Sequence, residues 1–345
     1  MRRITAISCA LAFVVGVSPA IAGECANPNA LGTSRTLVID SGAHPRLGAM
    51  QYSETLPLGP HEVVLTFDDG PLPPYTTRIL DILKSECVKA TYFLVGSMAQ
   101  HAPELVRRIH QEGHTIGTHS LRHPLPFDRM PLAQAEQEID GGITAVGAVL
   151  SDPAALAPFF RFPGLGRTSA AENYLASRSL VTWSVDIVAD DWFRQITANE
   201  IARRAIQRIE ARGQGMLLLH DIHPATALAL PTILKELKAR GYRIVHVVPS
   251  GLGRPATVTD PQQWVMRSGR ARPTAEATSP SVSPRQAMPS QAPRAKAPIG
   301  RGQSAQAETA TPACNSFGLI AAVLAFGCQN STGHQLSLTP NRPAS

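Results

Sequence analysis

Between Glu62 and Pro249, short apolar runs alternate with stretches of helical spacing. The strand-like runs are Val63–Phe67, Thr91–Val95, Thr115–Thr118, Phe159–Phe162, Val181–Val185, Met216–Leu219 and Ile244–Val248. Most are rich in β-branched or aromatic residues, as strands buried on both faces are. Between most of them, apolar residues recur at i, i+3 and i+4. Ile79, Leu80 and Leu83 mark one helix, and Leu105, Val106 and Ile109 the next. Ile201, Ala205, Ile206 and Ile209 mark a later one, with Leu234 and Leu237 in the last. Gly113, Gly213 and Gly241 follow the final turns, where left-handed C-cap residues are expected. Seven strands joined by helices predict an α/β fold with a parallel sheet, either doubly wound or closed into a barrel.

The flanks have a different character. Residues 1–22 read as a secretory signal peptide, with Arg2 and Arg3 ahead of the apolar run Ile4 to Val17, then Ala20-Ile21-Ala22. Residues 23–59 read as an N-terminal extension and 60–250 as the folded domain. From 251 to 313 Pro, Ala, Ser, Gln and Arg dominate, a composition that buries too little apolar area to offset its ordering entropy. That stretch is expected to be a disordered linker. Its arginines would hold it near an acidic cell-envelope surface, although a solvated linker without a partner is the plainer reading. Residues 314–345 form a tail around the apolar run Phe317 to Gly327, about 11 residues and too short to span a bilayer.

Export to the periplasm or outside the cell makes disulfides possible. Loss of the leader removes Cys9 and leaves Cys25, Cys87, Cys314 and Cys328, which allow three pairings. A Cys314–Cys328 bridge would close a small loop around the apolar run. None of the four has zinc-finger spacing.

The chain has 345 residues, 43% of them apolar, and a formal charge of +6. Divided by region, the surplus leaves the domain. Residues 23–250 hold 21 basic against 23 acidic side chains, whereas 251–313 hold eight against three. A nucleic-acid partner is therefore not expected. No internal apolar run approaches the roughly 20 residues of a transmembrane helix.

The polar residues of interest cluster at strand C-termini, the rim where parallel β/α folds build their active sites. Asp68 and Asp69 leave the first strand in Thr66-Phe67-Asp68-Asp69-Gly70-Pro71, where the turn would hold two carboxylates side by side. His119 and His123, four apart in His119-Ser120-Leu121-Arg122-His123, would share one ion if the segment were a helical turn. Two histidines and a carboxylate leave coordination positions open, as in a catalytic metal site. Arg161-Phe162-Pro163-Gly164 ends the fourth strand, Asp190-Asp191-Trp192 follows the fifth, and Leu218-Leu219-His220-Asp221 ends the sixth. Each motif alone has an ordinary structural reading. Their concurrence at four strand ends is what points to a site.

This ordered set, T-F-D-D-G-P, H-S-x-x-H, R-F-P, D-W and L-L-H, resembles the five motifs of the NodB-homology polysaccharide deacetylases, carbohydrate esterase family 4, over about residues 60–250. The resemblance implies a distorted (β/α)7 barrel with a divalent metal at the strand C-termini. It implies that Asp69, His119 and His123 hold the metal, that Asp68 is the general base and that Arg161 orients it. His220 would be the general acid, Asp191 its tuning carboxylate, Trp192 a pocket wall and Leu218 the apolar residue two before the acid. Two features depart from the family. Gly164 stands where a Tyr is usual, so its N–H would still serve as oxyanion donor while the pocket wall is lost. Asp190 precedes Asp191, so either carboxylate is available to tune His220, with Asp191 preferred because it adjoins the Trp.

The expected reaction is removal of N-acetyl groups from a GlcNAc-containing glycan such as peptidoglycan, chitin oligomers or an exopolysaccharide. Zn²⁺ is the simplest ion, and Co²⁺, Ni²⁺ and Mn²⁺ accept the same ligands. An O-acetyl esterase, a silent glycan-binding protein and a metal-independent amidohydrolase are the competing readings. Both metal histidines are present, against the last.

Overall fold

In the computed structural model, residues 25–265 are described. The strands are β1 (Thr33–Ile39), β2 (Arg46–Leu47), β3 (Glu62–Asp68), β4 (Thr91–Leu94), β5 (Thr115–Thr118), β6 (Leu156–Phe160), β7 (Val181–Trp183), β8 (Ile187–Val188), β9 (Gly215–His220) and β10 (Arg243–Pro249). The helices are α1 (Tyr75–Ser85), α2 (Gly96–His101), α3 (Pro103–Gln111), α4 (Leu132–Gly147), α5 (Ser169–Ser177), α6 (Ala198–Arg212) and α7 (Pro224–Ala239). Every ladder between these strands is parallel.

The main path runs β1-β10-β3-β4-β5-β6-β7-β2, with β9 on the other edge of β3 and β8 beyond it. All seven expected strands form, and the fold is the distorted (β/α)7 barrel type. Three further strands join them. β1 lies in the segment expected to be an extension, yet it pairs with β10 from Thr33 to Ile39. It carries polar Thr-Ser-Arg-Thr in its first half and alternates half-buried with exposed there, as an edge strand does. β2 pairs with β7, and β8 with β9.

Strand β3 explains why the sheet curls around a core. All seven of its residues are buried. Val63, Leu65 and Phe67 pack outward against apolar faces of α1, α6 and α7, whereas Val64 packs inward with Phe93, Phe159, Trp183 and Met216. That period of two sends alternate side chains to two cores. Leu37, Ile39, Val245 and Val247, from β1 and β10, complete the inner cluster.

Gly213, at φ 84°, is the left-handed C-cap of α6, and its N–H bonds the Ile209 carbonyl. Gly113 and Gly241 also take positive φ, 77° and 72°, one residue past the caps of α3 and α7.

One boundary differs from expectation. The first 15 residues of the stretch read as linker are mostly exposed but are tied to the domain: Thr257 N–H donates to the Val38 carbonyl, and Trp264 is 4% exposed and stacks on His44. Cys25 and Cys87 form a disulfide, tying the N-terminal segment to the loop after α1. The signal peptide, the remaining linker and the Cys314–Cys328 loop lie outside the described residues. Among the described residues no helix is long and apolar enough to cross a membrane.

Candidate active site

The site forms where β3, β5, β6 and β9 end. Asp68 is the last residue of β3 and is in register with His220, the last of β9. That pairing sets two chemistry-bearing side chains on adjacent strands. Asp69 follows at φ 79°, and the turn at Gly70-Pro71 carries the chain away.

The segment after β5 corrects one expectation. His119 to His123 is an irregular loop with Ser120 at φ 67° and His123 at φ 56°, not a helical turn. The Ser120 hydroxyl accepts the His123 N–H at 3.0 Å and closes the loop. The two rings still come together, with centroids 4.9 Å apart. The loop does by two left-handed residues what a helix would do by its pitch.

Asp69, His119 and His123 each offer a ligand atom within 4.8 Å of the others. Nε2 of His119 and Nε2 of His123 lie 3.4 and 3.2 Å from Asp69 Oδ1. That oxygen is buried and has no hydrogen-bond partner. Nδ1 of His119 lies 2.7 Å from the Arg161 carbonyl, which can only accept, so Nδ1 carries a proton and Nε2 is left to face the carboxylate. A nitrogen lone pair against a carboxylate oxygen is repulsive unless a cation stands between them. The trio therefore fits a divalent ion.

Electrostatics agree. Burial opposes ionisation of Asp69, but positive charge beside it, which His119, His220 and His123 supply when protonated, outweighs burial and holds its pKa well below the usual carboxylate range; a bound cation would act in the same direction. Burial lowers the pKa of His123, which favours the neutral ring that can bind an ion.

Arg161 is fully buried. Its Nη1 donates to Asp68 Oδ1 at 2.6 Å and Thr66 Oγ1 at 3.0 Å, its Nη2 donates to the Ser184 carbonyl at 3.1 Å, and the guanidinium stacks on Phe93. One carboxylate oxygen is thereby fixed, and the other, Oδ2, lies 3.7 Å from His119 Nε2. Removing one member of such a buried pair typically costs about 3–5 kcal/mol, because the other charge is stranded.

His220 and Asp191 form a second unit. Asp191 accepts from His220 Nδ1 at 2.8 Å, from the His220 backbone N–H at 2.7 Å and from Thr226 Oγ1 at 2.7 Å. Burial alone would lower the His220 pKa. The hydrogen bond and charge of Asp191, helped by Asp69 and Asp68, outweigh burial and raise it to about 9. With Nδ1 committed to Asp191, Nε2–H is free to act as a donor. Asp190 turns elsewhere and binds Arg204 and Arg208 at 2.7 and 2.6 Å.

Trp192 stands edge-on to His220, 40% exposed, and Phe193 beside it is 52% exposed. Leu218 is buried within β9. Gly164 takes φ 57° in the turn Pro163–Leu165, and a β-carbon there would lie 2.9 Å from Leu125 Cδ2. The backbone favours glycine at this position, whereas the neighbour is the end of an exposed side chain that can move aside.

One buried residue had no role assigned from the sequence. Asp221 is fully buried and accepts from Gly70 N–H at 2.9 Å and Thr76 Oγ1 at 2.6 Å, bracing the turn that presents Asp69. Burial pushes its pKa up to about 7, helped by the charge of Asp69 and opposed by those hydrogen bonds. Its only signal in the sequence is an acid directly after a buried strand. Thr226, in the first turn of α7, gave none.

Comparison with known proteins follows the same geometry. The profile of the family described as polysaccharide deacetylase matches residues 56–182. A chitooligosaccharide deacetylase of Bradyrhizobium is 34% identical over 208 residues, 55% of this chain and 90% of that protein. The chain belongs to the polysaccharide deacetylase family. A peptidoglycan-N-acetylglucosamine deacetylase of Listeria monocytogenes is 34% identical over 185 residues, and the chain spans only 38% of that relative's length. Among solved structures, a peptidoglycan deacetylase of Bdellovibrio bacteriovorus superposes with a TM-score of 0.57 at 31% identity, covering 65% of this chain and 61% of that one.

Proposed function

We propose that this chain is a metal-dependent hydrolase that removes N-acetyl groups from a GlcNAc-containing glycan. The carrying observation is the pairing of two opposed units at one rim. Asp68 is paired with Arg161 at 2.6 Å, and His220 is held protonated against Asp191. A base and an acid with different environments on neighbouring strands are what amide hydrolysis requires.

Asp69, His119 and His123 would hold the ion. Bound there, a divalent cation supplies Lewis acidity, polarising an acyl oxygen and lowering the pKa of water towards about 7. Asp68 takes the proton of the attacking water, and its ion pair with Arg161 keeps the carboxylate aimed. The Gly164 N–H donates to the developing oxyanion, a contribution of roughly 3 kcal/mol for one such donor. His220 Nε2–H protonates the departing nitrogen, and Asp191 stabilises the imidazolium until that transfer. An amide needs this acid because an unprotonated amine anion is a very poor leaving group. Positioned general acids contribute about 10²–10⁴-fold.

Export to the periplasm or outside the cell belongs to the same reading. The Cys25–Cys87 disulfide supports it, since such bonds persist in oxidising compartments. Relatives named for peptidoglycan and for chitooligosaccharides support the substrate class. The test is acetate release by the full chain, metal-loaded and chelator-treated, from N-acetylated and O-acetylated glycans side by side. Chelator-sensitive acetate from the N-acetyl glycan is expected. Acetate from esters alone would replace this reading with an O-acetyl esterase.

A further inference from the structure

A cavity of about 520 Å³ lies outside the centre described above, between the segment 45–54 and the segment 167–173. Its volume falls within the roughly 300–1,000 Å³ of small-molecule sites. Six of its ten lining residues precede the family match at residue 56. It lies on the active-site rim. β2 pairs with the C-terminal half of β7, and the chain beyond it reaches the end of the barrel. There the Met50 N–H donates to the Val185 carbonyl, and Gln51 Nε2 donates to the Leu165 carbonyl at 2.9 Å, one residue from Gly164.

The wall is built and charge-balanced. Glu172, 5% exposed, accepts from Tyr52 Oη at 2.7 Å and Arg167 Nη1 at 2.8 Å, with Arg46 Nε at 3.5 Å. Arg46 Nη2 also donates to Asn173 at 3.0 Å, and the Arg167 guanidinium lies over the Tyr52 ring. Both arginines meet Glu172, and a second carboxylate of the wall, Glu54, pairs with His44, so two guanidiniums and two carboxylates line the cavity. An anionic ligand would meet both carboxylates, and a cationic one both guanidiniums. Guanidinium, amide and carboxylate groups together offer both donors and acceptors, which suits the hydroxyls of a neutral sugar. Because these groups already hold one another in place, little side-chain entropy is lost on binding.

We infer that this cavity is a subsite for a neutral pyranose unit of the glycan chain, beyond the sugar being deacetylated and on its Gly164 side. The inference rests on the deacetylase reading and adds to it the preference for long, uncharged chains. The N-terminal segment is then part of the substrate groove as well as of the sheet.

Ser53 and Asn173 line the cavity and are exposed, so a large side chain at either position fills it from the solvent side. The experiment compares the full metal-loaded chain with Ser53→Trp and Asn173→Trp on the dimer and hexamer of N-acetylglucosamine. The expected result is a KM for the hexamer raised about tenfold, with kcat unchanged and dimer kinetics unchanged. A hexamer KM that stays put in both variants, with unfolding temperatures intact, overturns the subsite. So does an equal rise for the dimer, which would mean a general distortion. Calorimetric titration of the hexamer separates the two levels of the argument. Binding that is lost in both variants supports the subsite even where neither oligomer yields acetate, and that outcome rejects the deacetylase reading alone. No binding and no turnover by the unmodified chain rejects both.

Discussion

Replacing Asp191 by Asn isolates the part of the site that makes His220 an acid. In the native chain Asp191 Oδ1 accepts from His220 Nδ1, while Oδ2 takes the His220 backbone N–H and Thr226 Oγ1. An asparagine can keep the Oδ2 role with its carbonyl. Its amide then points a donor at Nδ1, which must give up its proton to accept. Without the carboxylate the terms that raise the pKa shrink, and burial, which lowers it, prevails. The pKa is expected to fall from about 9 to the ordinary 6.5 or below. A drop of about 2.5 pH units is worth about 3 kcal/mol in favour of the neutral ring. At pH 8 the protonated fraction would go from about 90% to about 3%, so the rate should fall about 30-fold there and much less at pH 6. The sign follows from the role: an acid works below its pKa and fails as pH rises through it. A bound dication moves both curves to lower pH, so the decisive quantity is their separation. The assay is the pH profile of kcat for acetate release between pH 5.5 and 10. An alkaline limb that Asp191→Asn leaves in place would refute the coupling of Asp191 to the acid.

Asp190→Asn should leave that limb unmoved, because Asp190 is committed to Arg204 and Arg208; a shifted profile would exchange the two roles. His220→Ala should lose acetate release from amides by about 10²–10⁴-fold and from acetate esters by much less, since an alkoxide leaves without prior protonation; equal losses on both would remove the acid assignment. Gly70→Ala should destabilise the fold by about 1–3 kcal/mol, because the added methyl collides with the Asp221 carboxylate beneath the turn. Thermal unfolding measures that effect, and an unchanged midpoint would mean that the turn is not braced as described.

The strands that carry the site were legible because they are buried on both faces and need no partner to look apolar. β3 and β9 announce themselves that way, β5 only through its β-branched Thr-Ile-Gly-Thr, and the acids and imidazoles stand out at their ends. β1 was not legible. Its first half is Thr-Ser-Arg-Thr, and its partner β10 begins 210 residues later in the chain, so no local pattern encodes the pairing. Helix α4 was obscured for another reason. Its buried face is Ala135, Ile139, Gly142, Ala145 and Val146, mostly small residues that give weak periodicity. Glycine at 142 is required there, since a β-carbon would strike the Ser120 backbone. The His-x-x-x-His spacing suggested the right neighbours by the wrong backbone, because two positive-φ residues can replace a helical turn. Adjacency to Trp192 favoured Asp191 over Asp190, and the fact that decides between them, which one reaches Thr226 and His220, is one of tertiary packing.

The measurement that tests the central claim most directly is acetate release and metal content of Asp68→Asn, taken together. Asparagine can still accept from Arg161 and leaves Asp69, His119 and His123 untouched. The expected result is one bound divalent ion per chain and almost no turnover on an N-acetyl glycan. Undiminished turnover with the ion in place would contradict Asp68 as the base and, with it, the mechanism built on the Asp68–Arg161 pair.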